Sequence, residues 1–411
     1  MSQSGKSKGA GLGRRDVLKA TALAAGGLAL ARPGRLLGAG MPSEIRIGAT
    51  LSQSGVYQGI VGPFRKLMDV WVERVNQAGG IPLGKYGKSL PLRLIMYDDK
   101  SEATTALSLY ERLATVDNVD LFIGPFSSGL NNAAIQAALT HKIPFFIPEG
   151  TDAVIYDTPN PWRTGCAAPA KDEWNRLVEL YAAIGQAKTV AVLARDNLHE
   201  VAAAQGFADG MQARGFSIVY NEVAPQATKD FSSILLKIRA ANPDIIALES
   251  IAPPFNIQFL KQAQEQGVGA KDILLGHGVV PVLKAMGPAS ENLVSLLWSF
   301  EGDTPDHKEF RSLCAAAGFE PWQYSEAGIR YAVFKLVENA LKKAGTLDHE
   351  AVRRAMWDAD FTLFGTERMK IDAKGYGTLI PYPTQAKGGK YVSLWPIQTG
   401  LKVHTFKNAW S

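Results

Sequence analysis

Cysteine is scarce: Cys166 and Cys314 are the only two in 411 residues, and 148 positions separate them. No CxxC pair and no Cys/His spacing of a zinc ribbon occurs, so a disulfide-rich scaffold and a structural zinc fold are excluded. Two separate buried thiols is one reading of the pair; a single bridge formed in an oxidising compartment is the other. The six histidines, at 141, 199, 277, 307, 349 and 404, are scattered and form no HExxH. Beyond the basic leader, which holds Gly5-Lys6-Ser7-Lys8-Gly9, no GxSxG that could form a nucleophile elbow occurs; no GxGxxG follows a strand-like run, and Gly5-Lys6-Ser7 lacks the upstream glycine of a phosphate-binding loop. The carboxylate pair Asp98-Asp99 stands at a strand end, where such residues cap turns more often than they form an acid/base pair. These absences point away from catalysis, and no cofactor and no metal site are expected.

A membrane-spanning run is missing too. The apolar stretch from Ala20 to Ala31 is about twelve residues, short of the roughly 20 that cross a bilayer. Lys6, Lys8, Arg14, Arg15 and Lys19 precede it, and basic then apolar is the order of a secretory signal. Gly13-Arg14-Arg15-Asp16-Val17-Leu18-Lys19 resembles the twin-arginine motif, which implies the twin-arginine translocase as an export partner and the periplasm as the destination. Cleavage is expected after Ala29-Leu30-Ala31 or Leu37-Gly38-Ala39, both of which end in a small residue, with residues 1–40 as the signal. Seven of the 44 basic residues and one of the 39 acidic ones lie in this segment, so the remainder holds 37 against 38. The positive charge therefore belongs to the leader, and a nucleic-acid partner has no support.

Beyond Glu44, short β-rich runs alternate with amphipathic helices. Ile45 to Leu51 reads as a strand; Phe64, Leu67, Met68, Trp71, Val75 and Ala78 then fall on one face of a helix that Gly79-Gly80 ends. Further strands are expected at 91–97, 119–123 and 143–147, and a second series at 189–194, 216–223, 244–248 and 272–275, with helices between. Two successive βα series of this kind imply an α/β protein of two doubly wound, parallel-sheet lobes. Roughly 370 residues suit two domains better than one core. A strand-like run at 292–298 and two helical stretches follow, and the tail from Phe361 reads as hairpins.

Several segments in order resemble the branched-chain amino-acid-binding family of ABC-transporter receptors: Ile45 to Ala49 with Leu51 to Gly55, Asn76 to Ile81, Tyr97-Asp98-Asp99, Ile123 to Gly129, Ile143 to Pro148, Asp230-Phe231-Ser232, Asn242-Pro243-Asp244, and Gly389 through Pro396. The resemblance covers nearly all of the chain beyond the leader. It implies the type I periplasmic binding fold, in which two lobes joined by a hinge close on a small-molecule ligand, and it implies a membrane permease as partner. By that similarity the crossings fall near Gly165, Trp298 to Gly302 and Asp372 to Gly375. One lobe then takes 41–165 with 300–372, and the other 166–299 with 373–411.

Ligands in parallel α/β sheets sit beyond the carboxyl ends of strands, where helix N-termini also point. Ser52 to Gly59, Pro125 to Gly129 and Pro148 to Thr151 meet that condition in the first lobe. Ser127 and Ser128 stand between a strand and a helix, so their hydroxyls and N–H groups can serve as helix caps, as anion contacts, or as one of each. Family position favours Ser128 and Thr151 as ligand contacts, with Gly150 beside them; Tyr57 either lines the cleft mouth or is a solvated loop residue. Glu149 departs from the family, because a carboxylate beside a ligand carboxylate repels it by roughly 1 to 4 kcal/mol at about 4 Å. It either faces solvent or binds a donor group of the ligand.

In the second lobe the candidate loops carry His199, Ser250 and His277. The amino-acid receptors place an acidic residue where this chain has Gly276-His277-Gly278, and a neutral histidine is a poor ammonium partner. His277 is then a plain loop residue or a donor to an anion, and branched-chain amino acids are not the default ligand. The resulting expectation is a solute receptor of an ABC uptake system, holding a small polar or carboxylate-bearing ligand first on Ser128 and Thr151 and then under the Ser250 and His277 loops. A periplasmic sensor of the same fold is the alternative, and an exported enzyme a remote one.

Overall fold

The computed structural model describes residues 41–277, 280–408 and 410. The leader, its twin-arginine motif and both cleavage sites lie outside the described residues, as do Gly278 and Val279 of the third second-lobe loop. Residues 43–411 form one compact unit, and within it the chain builds two principal sheets.

The first sheet comprises β1 (Ile45–Leu51), β2 (Leu92–Asp98), β3 (Leu121–Ile123), β4 (Phe145–Ile147) and β5 (Arg163–Gly165). Its order is β2-β1-β3-β4-β5, and every pairing is parallel. β1 reads Ile-Arg-Ile-Gly-Ala-Thr-Leu and is buried on both faces apart from Arg46. That is why it shows a continuous apolar run and not an alternation. Helix Phe64–Gln77 buries Phe64, Leu67, Met68 and Trp71, as its spacing predicts. It ends where Gly79 and Gly80 take positive φ of 94° and 85°. At Gly80 a Cβ would sit 2.4 Å from the Leu90 carbonyl, so only glycine lets the chain turn there.

The second sheet holds β6 (Thr189–Arg195), β7 (Ser217–Ala224), β8 (Ile245–Glu249), β9 (Asp272–Leu275), β10 (Val294–Leu297), β11 (Tyr382–Lys387) and β12 (Lys390–Ser393). The order is β12-β11-β10-β9-β8-β6-β7. β6 through β10 pair in parallel, as a doubly wound lobe requires, whereas β11 and β12 join antiparallel. The hairpin expected in the tail is thus an extension of this sheet. A second hairpin, Asp360–Leu363 with Glu367–Lys370, stands apart.

Helix Ala327–Ala344 packs its buried face, including Ile329, Val333, Leu336 and Val337, into the same apolar core as β1 and helix Phe64–Gln77. Trp71 stacks on Phe334 with centroids 4.4 Å apart. Two chain segments run side by side between the sheets: Gly165 N–H donates to Gly375 O, Gly377 N–H to Ala167 O, and Leu379 N–H to Cys166 O. Arg163, 1% exposed, ties this junction down. Its guanidinium donates to the carbonyls of Ile155 (3.0 Å), Tyr156 (2.9 Å), Thr158 (3.2 Å) and Lys374 (2.6 Å). Cys166 and Cys314 are both free and buried. Among the described residues no helix is long and apolar enough to cross a membrane.

Candidate functional site

One cleft gathers strand ends from both sheets. Its cavity volume is about 40 Å³, and it is lined by Phe126, Ser127, Ser128, the Pro148–Thr151 loop, Glu173, Asn197, His199, Ile251, His277, Trp298, Glu326 and Ile329.

On the first sheet, β3 runs into Ser127, which has φ of 75° and caps helix Ser128–His141 by accepting from Leu130 N–H at 3.4 Å. The buried Asn131 side chain donates to the carbonyls of Pro125 (2.8 Å), Ser127 (2.8 Å) and Glu149 (2.7 Å), fastening the loop after β3 to the loop after β4. Ser128 Oγ accepts from Asp152 N–H at 3.3 Å, and Tyr156 OH donates to Gly150 O at 3.0 Å. The helix N-terminus and the hydroxyls of Ser127, Ser128 and Thr151 thus present an anion-favouring wall.

On the second sheet, Asn197 caps helix Leu198–Ala213 through His199 N–H, which sets the His199 ring in the cleft. Its Nδ1 lies 2.9 Å from Thr151 Oγ1, a hydrogen bond from one sheet's loop to the other's. His277 follows β9. Its Nδ1 is 3.1 Å from Glu326 Oε1, and its Nε2 is 3.4 Å from Glu173 Oε1. Glu173 Oε2 is 3.2 Å from His199 Nε2. Glu249 stands behind, fully buried, at the end of β8; a Cβ on Gly276 would sit 1.9 Å from its Oε2, so glycine makes room for it.

The charges follow from burial and neighbours. Burial alone would lower His277, but Glu326, Glu173 and Glu249 outweigh it and raise the imidazole to about 10. His277 is therefore a cation at neutral pH, not the neutral ring expected from its loop. Burial, with the His277 charge added, drives His199 down to about 3, leaving it neutral. Glu173 is pushed up to about 7 by burial, with His277 opposing and Glu326 reinforcing, and Glu249 well above the usual range, mainly by burial.

Seven of the expected site residues, Ser127, Ser128, Glu149, Gly150, Thr151, His199 and His277, line this one cleft; two do not. Tyr57 packs edge-on against Phe126 at 5.1 Å and is not among the cleft-lining residues. Ser250 is buried, and its Oγ accepts from Ala252 N–H at 3.1 Å, so it braces the loop from behind. Glu149 takes neither course expected of it: its Oε2 accepts from Arg330 at 2.7 Å, and Arg330 is itself 1% exposed. Burial pushes the Glu149 carboxyl upward and Arg330 pulls it back. Sequence reasoning missed Glu173, Glu326, Arg330 and Asn131. Only Asn131, three residues into a helix that begins at a site loop, carried a signal of position.

Comparison with known proteins bears on the whole unit. A Leu/Ile/Val-binding protein homologue of Brucella suis biovar 1 is 24% identical over 377 residues, spanning 85% of this chain and 88% of that protein. Among solved structures, a leucine-binding protein from Thermotoga maritima superposes with a TM-score of 0.73 at 19% identity, covering 85% of this chain and 97% of that one. A solute-binding protein of an ABC transporter from R. palustris, in complex with benzoate, reaches 0.71 at 20% identity over 90% and 97%. These likenesses carry the fold. The family model for periplasmic binding proteins matches residues 44–386, which takes in the first sheet, all of the second but its edge strand β12, and every wall of the cleft, and the chain belongs to that family.

Proposed function

We propose that this protein is the solute-capturing receptor of an ABC uptake system and that it binds a small organic carboxylate between its two sheets. The solute's anionic end lies against Ser127, Ser128 and the Gly150–Thr151 loop; its other end faces Glu173, Glu326 and His277. The observation that carries the reading is the Thr151–His199 hydrogen bond, because it joins the two sheets across the cleft at the anion-favouring wall. Benzoate and isoleucine, named with two structural neighbours, share a carboxylate and little else. The wall supplied by helix Ser128–His141 suits that common group.

Capture works as a population shift. A ligand touching both walls binds the closed arrangement better than the open one and so favours closure. The closed form then presents a composite face to a membrane permease. Export through the twin-arginine route to the periplasm, with removal of residues 1–40, belongs to the same reading. So does the assignment of 41–165 with 300–372 to one lobe and the remaining segments to the other.

A thermal-shift screen of the exported protein against aromatic and aliphatic carboxylates and amino acids identifies the solute, since a ligand at 100 times its Kd stabilises by about 2.7 kcal/mol. Ser128→Ala and Thr151→Ala each remove a hydrogen bond to a charged group, worth about 1.5–3 kcal/mol, so each weakens binding roughly tenfold to a hundredfold. Unchanged affinity in both variants would sink the assignment.

A further inference from the structure

Two histidines, one in the first turn of helix Leu198–Ala213 and one on the loop after β9, turn the same ring atom, Nε2, toward one carboxylate. Glu173 Oε2 lies 3.2 Å from His199 Nε2 and Glu173 Oε1 lies 3.4 Å from His277 Nε2. One donor atom from each of the three residues can be chosen so that all lie within 4.8 Å of one another. In a tetrahedral zinc site with bonds near 2.1 Å, neighbouring ligand atoms stand about 3.4 Å apart. Each histidine stands near that distance from Glu173, but from a different oxygen of it: His199 from Oε2 and His277 from Oε1.

Hydrogen bonding does not account for the cluster. Both oxygens of Glu173 and both ring nitrogens of His277 are buried without a hydrogen-bond partner, although they face one another. Glu173 is 1% exposed and His277 4%. Groups at ion-pair distance whose directions do not suit a shared proton fit a common cation between them better than they fit each other. The opposite side of the His199 ring is braced as metal-binding imidazoles are, with Nδ1 at Thr151 Oγ1 (2.9 Å), while Glu326 Oε1 stands at ion-pair distance, 3.1 Å, from His277 Nδ1. The ring centroids are 5.8 Å apart with planes at 53°, so neither ring stacks on the other. Two imidazoles and one carboxylate suit zinc, cobalt or nickel over magnesium or calcium, which prefer all-oxygen shells. A ligating imidazole is neutral, so the cation takes the place of the proton that the surrounding carboxylates hold on His277.

We propose that Glu173, His199 and His277 form a three-ligand site for a divalent first-row transition cation, and that the cleft takes its organic solute as a complex with that cation. Three protein ligands leave coordination positions free, and Thr151, bonded to His199, places the anion-favouring wall next to them. The solute's carboxylate bridges the cation and that wall. The inference rests on the reading of the cleft as the solute site.

The test uses the exported protein stripped with EDTA and dialysed. Titration with Co²⁺ yields one equivalent bound with visible ligand-field bands, and Zn²⁺ displaces it. Mg²⁺ does not. His199→Gln and His277→Gln each weaken Co²⁺ binding at least about tenfold, while His307→Gln, outside the cleft, leaves it unchanged. Absence of a Co²⁺ spectrum in the unmutated protein overturns the site whatever the variants do, and so does a spectrum that survives both cleft substitutions in protein of native circular dichroism. Carboxylate solutes are then titrated with and without Zn²⁺. Affinity raised at least tenfold by Zn²⁺ supports the joint complex. Equal affinity in EDTA overturns it while leaving the cleft as the solute site. Co²⁺ binding with solute affinity indifferent to Ser128→Ala and Thr151→Ala keeps the metal site and removes the solute reading instead.

Discussion

Replacing Arg163 with methionine tests how the junction between the sheets is held. The guanidinium reaches four carbonyls from two stretches of chain: Ile155, Tyr156 and Thr158 on one, and Lys374 on the other. Its carbon lies 4.5 Å from the Tyr156 ring centroid. Among the described residues no carboxylate stands at ion-pair distance from it, so its hydrogen bonds are what compensate its burial. Methionine fills much of the volume and removes the donors. The bonds to Ile155 and Tyr156 are buried, and leaving those two carbonyls without a partner costs about 1–3 kcal/mol each. The carbonyls of Thr158 and Lys374 are partly open and can turn to water. Removing the charge returns part of the cost, because the guanidinium no longer has to be desolvated. The net loss is about 3 kcal/mol. At about 2.1 cal/mol/K per residue over roughly 370 residues, that lowers the melting temperature by about 4 °C. Arg163→Lys does not restore it, since one ammonium with three donors cannot span four carbonyls in this arrangement. Calorimetry and denaturant titration of both variants measure the effect. A methionine variant within 0.5 kcal/mol of the unmutated protein would show that the carbonyls were never dependent on Arg163.

Asp98 supplies a pH-dependent prediction. Its oxygens accept from Ser54 Oγ (2.7 Å) and from the N–H groups of Gln53, Ser54 and Lys100. Slight burial raises its pKa, but these bonds outweigh it and hold the carboxyl below its ordinary 3.8. A depressed carboxyl contributes stability above the unfolded pKa and loses it as pH falls through the folded one. Asp98→Asn is therefore less stable than the unmutated protein at pH 7, and the gap closes below about pH 4; denaturant midpoints at pH 7 and pH 3 decide it, and a gap that widened in acid would refute it. Burial pushes the thiols of Cys166 and Cys314 well up, so Ellman's reagent finds no reactive thiol in the folded protein and two after unfolding. One equivalent or none in denaturant would mean that they are bridged or modified.

Much of the fold was legible because parallel strands buried on both faces leave runs such as Ile45–Leu51 that no surface helix would show. The site loops were legible for a related reason, as strand ends that feed helices are few and the serines and Thr151 stand on them. Glu173 and Glu326 were not. Glu173 lies between a short 3-10 turn and helix Asn175–Ile184, and Glu326 lies just before Ala327–Ala344. Neither ends a strand, and only the folded path of the chain brings them to His277. The charge of His277 was illegible for the same reason, since it depends on three carboxylates far from it in sequence. Arg330 escaped notice because it lies on a helix whose pattern reads as core. Its pairing with Glu149 spans 181 residues.

The antiparallel strands β11 and β12 bear on the order in which the molecule can be assembled during synthesis. β10 has β11 as its outer neighbour, and β11 begins at Tyr382, 85 positions after β10 ends. Asp272, on β9, receives Tyr181 OH at 2.8 Å and Lys407 N–H at 3.0 Å, and lies 2.8 Å from His404 Nε2. A nascent chain that has emitted β6 through β10 therefore carries an open, apolar sheet edge and a buried-to-be carboxylate with partners still missing. Such an edge is a template for pairing with other chains, and its closure waits on contacts distant in sequence, which form slowly. The second lobe is consequently most exposed to aggregation while the ribosome is still reading residues 298–381, and it becomes safe only when residues 382–407 have arrived.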